Sequence, residues 1–121
     1  MKWLSRTIKA ERRCLERARR RFVREPTQER LHDLRTTGRR LRSLLEDVAD
    51  VIAKPALLRR LKRAAALTDA ARDAAVIVSL LAGSLDEAER HTAQPLLDAL
   101  ERRLHSATTK ACRRLQRVRF S

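Results

Sequence analysis

Arginines are the side chains in this sequence whose spacing most suggests a chemical role. Starting from His32, arginines follow at Arg35, Arg39 and Arg42. If each residue turns a helix by about 100°, these four side chains lie within an arc of about 80°, opposite the leucines of the same segment. Arginine presents a planar fork of donors that binds phosphate oxygens in pairs, and its guanidinium is weakly hydrated. The spacing therefore predicts a surface that binds the phosphates of a polyanion.

Further rows of cations extend this predicted surface to other parts of the chain. Of the 29 basic residues 24 are arginines, a ratio that favours phosphate binding. Residues 2–24 carry cations at steps of three and four residues, and more arginines follow in residues 59–63 and 102–117. An arginine-rich solubilising surface is the alternative explanation. The other candidate phosphate-binding residues are Arg13, Arg17, Arg20, Arg40, Arg59, Arg63, Arg72 and Arg113.

The composition places these rows on a small helical protein. The chain has 121 residues, a net charge of +14 and 43% hydrophobic residues, which predicts one core and a single domain over residues 1–121. Few glycines and only 2% aromatic residues favour helices over sheets. We expect no membrane span and no signal peptide, and hence a cytoplasmic protein, because no stretch approaches about 20 uncharged apolar residues. Cys14 and Cys112 are expected to be free thiols.

Four amphipathic segments predict an all-α fold, an antiparallel bundle of four long helices. The segments cover residues 2–24, 26–53, 55–83 and 84–119. Their boundaries are set by prolines that suit a first helical turn, by a glycine that suits the residue after a helix, and by a capping-box spacing. These residues are, in order, Pro26, Pro55, Gly83 and the pair Ser84 and Glu87. Pro95 predicts either a kink or the start of a fresh helix, and Leu96 begins the apolar stripe that follows it.

Several residues within the segments are unusual for their positions. Gly38 indicates either a close approach of a neighbouring helix or a suboptimal residue. Arg72 lies at the margin of an apolar arc, where a carboxylate or a bound anion would have to hold it. Arg12 and Arg19 lie toward the apolar side of the first segment.

The residues give little support to catalysis. A phosphate hydrolase would need carboxylates that converge on a metal ion or a glycine-rich loop, and neither pattern is present. Asp69 and Asp73 could share a metal, but the flanking Arg72 favours an ion pair. We therefore expect no catalytic residues, no metal site and no cofactor.

The run His32-Asp33-Leu34-Arg35-Thr36-Thr37-Gly38-Arg39-Arg40-Leu41-Arg42, followed later by Ala71-Arg72-Asp73, resembles the CHAD family, the conserved histidine α-helical domain. The resemblance covers roughly residues 20–119. It implies a helical bundle that binds inorganic polyphosphate through a basic surface and, in some members, associates with polyphosphate or polyhydroxyalkanoate granules. It also implies that His32, Arg35, Arg39, Arg40 and Arg42 contact phosphates, with Arg72 as a further contact.

The chain departs from the usual CHAD arrangement of two similar four-helix halves, each with its own signature. Its length suits one half, and Thr108 stands where an arginine would follow His105 in a second signature. We therefore hypothesise a homodimer in which two copies turn their basic faces toward a shared groove.

Two other functions fit parts of the pattern. A nucleic-acid backbone would satisfy the net charge, although the scarcity of aromatic residues argues against base stacking. A granule-surface protein of the phasin kind would need an apolar face left over after the bundle forms.

Overall fold

The computed structural model describes residues 2–120, which form four helices joined by short connections. Helix α1 spans Lys2–Arg24, α2 spans Gln28–Asp47, α3 spans Pro55–Ser84 and α4 spans Glu87–Leu115. No strand occurs between residues 2 and 120. The predicted all-α class and the helical bundle are confirmed.

The connection between α1 and α2 differs from the prediction by a few residues. Thr27 is the N-cap of α2, and its hydroxyl accepts a hydrogen bond from the backbone N–H of Arg30 at 3.2 Å. Pro26 therefore precedes the cap instead of lying in the first turn. The helix also ends at Asp47, six residues before the predicted end, and turns follow. Pro55 does open α3 as predicted.

The turn between α3 and α4 corrects three further expectations. Gly83 lies inside α3 with no positive φ, so it does not terminate the helix in the left-handed conformation. The capping box is formed by Asp86 and Glu89, two residues later than predicted, because the Asp86 carboxylate reaches the Glu89 N–H at 2.8 Å. Pro95 lies inside one continuous α4, so no fresh helix begins there. The proline costs this helix the bond that residue 95 would donate to the carbonyl of His91.

Successive helices run antiparallel, and each packs against the next. Glu11 of α1 faces Arg40 of α2, while Leu15 approaches Gly38, so the two helices run in opposite directions. Helix α3 contacts both α2 and α4, and α4 closes the bundle against α1.

The core follows the predicted apolar stripes closely in α1 and less closely in α4. The stripe of α1 is fully buried, from Leu4 and Ile8 to Phe22. In α4 the prediction placed Leu96 at the start of the stripe, but its side chain is 53% exposed and Leu97 is buried instead. One residue turns the helix by about 100°, so a shift of one position exchanges an inward for an outward side chain.

The hairpin formed by α3 and α4 extends beyond the other two helices. The buried residues of α3 end at Ala74 and those of α4 begin at Leu97. From Ala74 to Ser84 the ten residues of helix add about 15 Å of length. Residues 76–98 form this projecting part, which we call the hairpin tip. No helix between residues 2 and 120 is long and apolar enough to span a membrane.

The chain after α4 folds back onto α1 and is held there by a buried ion pair. Phe120 is fully buried, its N–H donates to Glu16 Oε2 at 3.3 Å, and its carbonyl accepts from Arg12 Nε at 2.7 Å. Arg19 pairs with Glu16 and donates to the Leu115 carbonyl at 3.0 Å. Burial alone would raise the pKa of Glu16, but hydrogen bonds and charge from Arg19 outweigh it, so the pKa lies below its usual value. The arginines on the apolar side of α1 thus have a structural role.

Candidate anion-binding surface

The residues 32–42 of α2, which we call the signature run, divide between two sides of the helix. Arg35, Arg39 and Arg42 line a cleft of about 240 Å³ between α2 and α3, with Gly38 in its wall. His32 instead lies in a depression between α1 and α2, together with Arg40 and Arg17. The side chains of the signature run therefore do not converge on one point. They can contact an extended ligand that passes over α2.

Arg35 bridges α2 and α3 and is only 14% exposed at its side chain. Its Nη1 donates to the Thr68 hydroxyl at 2.6 Å and to the Ala65 carbonyl at 3.2 Å, and lies 3.0 Å from Asp69 Oδ1. The prediction that Arg35 lies opposite the leucines is wrong, because it follows the buried Leu34 directly and its long side chain reaches α3. His32 and Arg39 are exposed, as expected.

Three more of the predicted arginines form ion pairs at the surface. The pairs are Arg40 with Glu11, Arg42 with Glu46 and Arg72 with Asp73, with Nε to carboxylate distances of 2.8, 2.9 and 2.8 Å. All three arginine side chains are more than 40% exposed. Exposed pairs of this kind contribute no more than about 1 kcal/mol, so a phosphate can replace the carboxylate at little cost. Of the two partners expected for Arg72, a carboxylate or a bound anion, the structure shows the carboxylate.

A group of six arginines lies between the start of α3 and the end of α4. A cavity of about 840 Å³ is lined there by six arginines, with Leu67 and Val118 between them. We call this group the arginine basin. Its arginines are Arg60, Arg63, Arg113, Arg114, Arg117 and Arg119. No carboxylate lines the basin, and none of its six guanidiniums pairs with an acidic side chain within residues 2–120.

Sequence reasoning found part of the basin and missed the rest. Arg63 and Arg113 were among the predicted phosphate contacts, whereas the other four basin arginines were not. Helical spacing groups residues of one helix, but the basin forms only where two helix ends about 55 residues apart meet. Arg59, another predicted contact, is exposed on α3 outside the basin lining.

The remaining predicted contacts lie on α1. Arg13, Arg17 and Arg20 are exposed, and Arg17 lines the depression that also contains His32. Arg20 is oriented toward the buried Glu16, with 3.7 Å between its Nε and Oε1. These residues place the cationic row of α1 on the outer face of the bundle.

The described part of the chain holds no group of three His, Cys, Asp or Glu side chains that could bind a metal ion. Asp73 pairs with Arg72, as the ion-pair alternative predicted, whereas Asp69 pairs with Arg35 of α2 instead. Both cysteines are free thiols. Burial raises the pKa of the Cys112 thiol, so this group is a poor nucleophile at neutral pH.

One known protein family matches nearly the whole chain. The CHAD domain family matches residues 6–120, which include the signature run, the cleft and the arginine basin. The chain belongs to the CHAD domain family. CHAD domains are binding domains linked to polyphosphate and are not themselves catalytic. No curated protein and no solved structure shows significant similarity to this CHAD domain.

Proposed function

We propose that this CHAD domain binds inorganic polyphosphate along its arginine-rich surfaces and catalyses no reaction. The arginine basin is the observation that carries the proposal. Its six guanidiniums share one cavity, and no carboxylate from residues 2–120 lines it to neutralise them. Because like charges repel, such a group is favourable only when anions occupy it. A polymer of phosphates supplies several anions at once and loses little entropy for each additional contact.

Two further cationic surfaces support a polymer rather than a single phosphate. The cleft with Arg35, Arg39 and Arg42 lies between α2 and α3, and the depression with Arg17 and His32 lies between α1 and α2. Each surface alone offers few unpaired cations. A chain of phosphates that reaches more than one of them binds more tightly than a short one, through a high effective concentration.

The aromatic residues favour polyphosphate over nucleic acid. Phe22 and Phe120 are fully buried, so Trp3 is the exposed aromatic side chain among residues 2–120. Single-stranded nucleic acids are usually bound by aromatic side chains on which bases stack. Binding to the phosphates of DNA or RNA is the second candidate function, and only the net charge supports it.

A competition titration tests the proposal directly. Labelled long-chain polyphosphate is bound at physiological salt and then displaced by unlabelled long polyphosphate, short polyphosphate, duplex DNA or RNA. We expect only long polyphosphate to displace the label efficiently. Equal displacement by DNA at equal phosphate concentration would show a general polyanion binder and contradict the proposal.

The cleft arginines can be tested with a pair of matched charge changes. We expect Arg35→Ala with Arg39→Ala to weaken polyphosphate binding more than Arg102→Ala with Arg103→Ala. Both pairs remove two positive charges, but Arg102 and Arg103 are exposed outside the cleft and the basin. Equal losses would show that bulk charge determines the affinity. Thermal melts of each variant separate a binding defect from the loss of the Arg35 bridge.

We further propose that two copies bind one polyphosphate chain with their basic faces toward each other. Light scattering would show the dimer when polyphosphate is present at less than one chain per protein. From the proposed ligand we also propose that the protein lies at polyphosphate stores in the cytoplasm, or at the polyhydroxyalkanoate granules with which some family members associate. Co-localisation of a tagged protein with stained polyphosphate tests this placement.

A further inference from the structure

The hairpin tip has a charge and a surface unlike the rest of the molecule. Residues 76–98 carry four carboxylates and one arginine, a net charge of −3. Since the whole chain carries +14, the other residues together carry +17. The lowered pKa of Asp86, caused by its hydrogen bond from the Glu89 backbone, keeps that carboxylate ionised well below neutral pH. The tip is therefore unsuited to the polyphosphate that the basic surfaces are proposed to bind.

The same tip exposes large apolar side chains to solvent. Val76 and Ile77 are each 47% exposed, Leu80 is 66% exposed and Leu96 is 53% exposed. Arg35 of α2 lies beside Thr68 of α3, and seven residues earlier α2 begins. Because the helices are antiparallel, the start of α2 is level with about residue 75 of α3. Beyond that level, no helix within residues 2–120 lies against the outer side of α3.

The opposite end of the bundle has the complementary properties. Trp3 at the start of α1 is 63% exposed, and Val51 in the connection between α2 and α3 is 60% exposed. Five cations line a depression at this end, which we call the Trp3 end, and none has an ion-pair partner within residues 2–120. They are Lys2, Arg6, Lys9, Arg12 and Lys54. Asp47 and Asp50 also lie near this end, but the cations outnumber them.

We propose that copies of this chain associate head to tail, with the hairpin tip of one copy docked on the Trp3 end of the next. All the large hydrophobic side chains exposed between residues 2 and 120 lie at these two ends. One end is acidic and the other basic, so tip and Trp3 end attract, whereas two tips or two Trp3 ends repel. An interface between two different surfaces repeats without closing, so it extends into short linear chains of molecules.

The size of the tip sets the expected strength of the association. Two helices side by side are about 20 Å wide, and the uncovered length is about 15 Å, so the tip offers roughly 300 Å². An interface that buries roughly 600 Å² in total belongs to the weak and transient class. Trp3 supplies the largest single apolar contact, because aromatic side chains dominate interface energies. We therefore expect a dissociation constant of about 100 μM for each contact.

Sedimentation and small-angle scattering of the ligand-free protein test this proposal. At about 0.15 M salt and up to about 500 μM protein, we expect a rising average mass. We also expect elongated dimers of about 90 Å, since α3 alone is about 45 Å long. A protein that stays monomeric over this concentration range overturns the proposal. It does so even if the tip of the monomer binds polyhydroxyalkanoate particles. A compact dimer also overturns it. Because no polyphosphate is added, failure here is distinguishable from failure of the proposed function.

Mixing two variants tests whether the interface joins unlike surfaces. Ile77→Ser with Leu80→Ser removes apolar contacts from the tip, and Trp3→Ser removes the anchor at the other end. All three side chains are exposed, so both variants should keep the wild-type melting temperature. We expect each variant alone to be monomeric and an equal mixture to form dimers and nothing larger. Self-association of the Trp3 variant alone would show tip-to-tip contact and refute the head-to-tail arrangement.

A charge reversal with a matched control tests the electrostatic part. Glu87→Lys with Asp98→Lys changes the tip, whereas Glu29→Lys with Asp33→Lys makes the same net change on α2, outside both ends. We expect the tip variant to lose association and the control to keep it. Equal losses would mean that overall repulsion between copies governs the association.

Discussion

The arginine basin predicts how the proposed polyphosphate binding depends on salt concentration. Arg63→Gln with Arg117→Gln removes two of its six charges, one on α3 and one just after the end of α4, and keeps most of each side-chain stem. Both residues are exposed, so the fold should be unaffected.

The magnitude follows from counterion release. If polyphosphate behaves like a single-stranded polyanion, each phosphate contact contributes about −0.7 to the slope of log K against log salt concentration. Contacts from all six basin arginines give a slope of about −4, and loss of two makes it shallower by about 1.4. If the affinities of variant and wild type converge near 1 M salt, the variant binds about 25-fold more weakly at about 0.1 M.

Fluorescence anisotropy of labelled long-chain polyphosphate, measured over a series of salt concentrations, provides the slopes. Arg102→Gln with Arg103→Gln is the matched control, since it lowers the net charge equally outside the basin lining. We expect the control to keep the wild-type slope. The reasoning is refuted if both double variants change the slope equally, or if the basin variant does not change it.

Three further predictions concern stability, each measured by denaturation. Gly38→Ala should raise the free energy of unfolding by about 0.5 to 1 kcal/mol, because alanine is favoured over glycine within a helix and its Cβ would lie 3.8 Å from Leu15 Cδ1, an ordinary contact. A loss of stability would show that α1 and α2 are too close for a Cβ at this position. Because the pKa of Glu16 is lowered in the folded state, this carboxylate stabilises the fold at pH values above its ordinary pKa of 4.5. The stabilisation is lost as the pH falls through the lower pKa of the folded state. Glu16→Gln should lower the free energy of unfolding by about 3 kcal/mol at pH 7, because it leaves Arg19 without its carboxylate. The melting temperature of this variant should fall less on acidification than that of the wild type. Parallel melting-temperature profiles of the two proteins against pH would contradict this. Thr108→Val should stabilise by about 1 kcal/mol, because the buried hydroxyl has no partner within residues 2–120; a lower melting temperature would indicate a missed hydrogen bond.

The sequence was most informative about helices and least informative about their ends. A stripe of leucines and alanines at helical spacing identified the core of α1, because every residue of a helix has a fixed angle about its axis. Helix ends depend on single capping contacts, and several residues can supply one. Thr27 and Asp86 took that role, so the boundaries moved by a few residues from those that Pro26 and Ser84 indicated.

The open questions about Gly38 and Pro95 were also settled by packing. At Gly38 a Cβ would make only an ordinary contact with Leu15, so no close helix approach requires glycine there. Helix α4 continues through Pro95 and packs against α3. Neither outcome could be read from local propensity.

The sequence alone determined an all-α protein of the CHAD family with cationic rows on its helices, since periodicity and the signature run are properties of neighbouring residues. Only the tertiary structure decided which cations are free. It paired Arg35 with Asp69, 34 residues away, buried Arg19 beside Glu16, and joined the two ends of the α3–α4 hairpin into the arginine basin. It also left the hairpin tip uncovered. The physical reason is that helical periodicity fixes the direction of a side chain about its own axis, but the partner it meets there is set by the packing of distant segments.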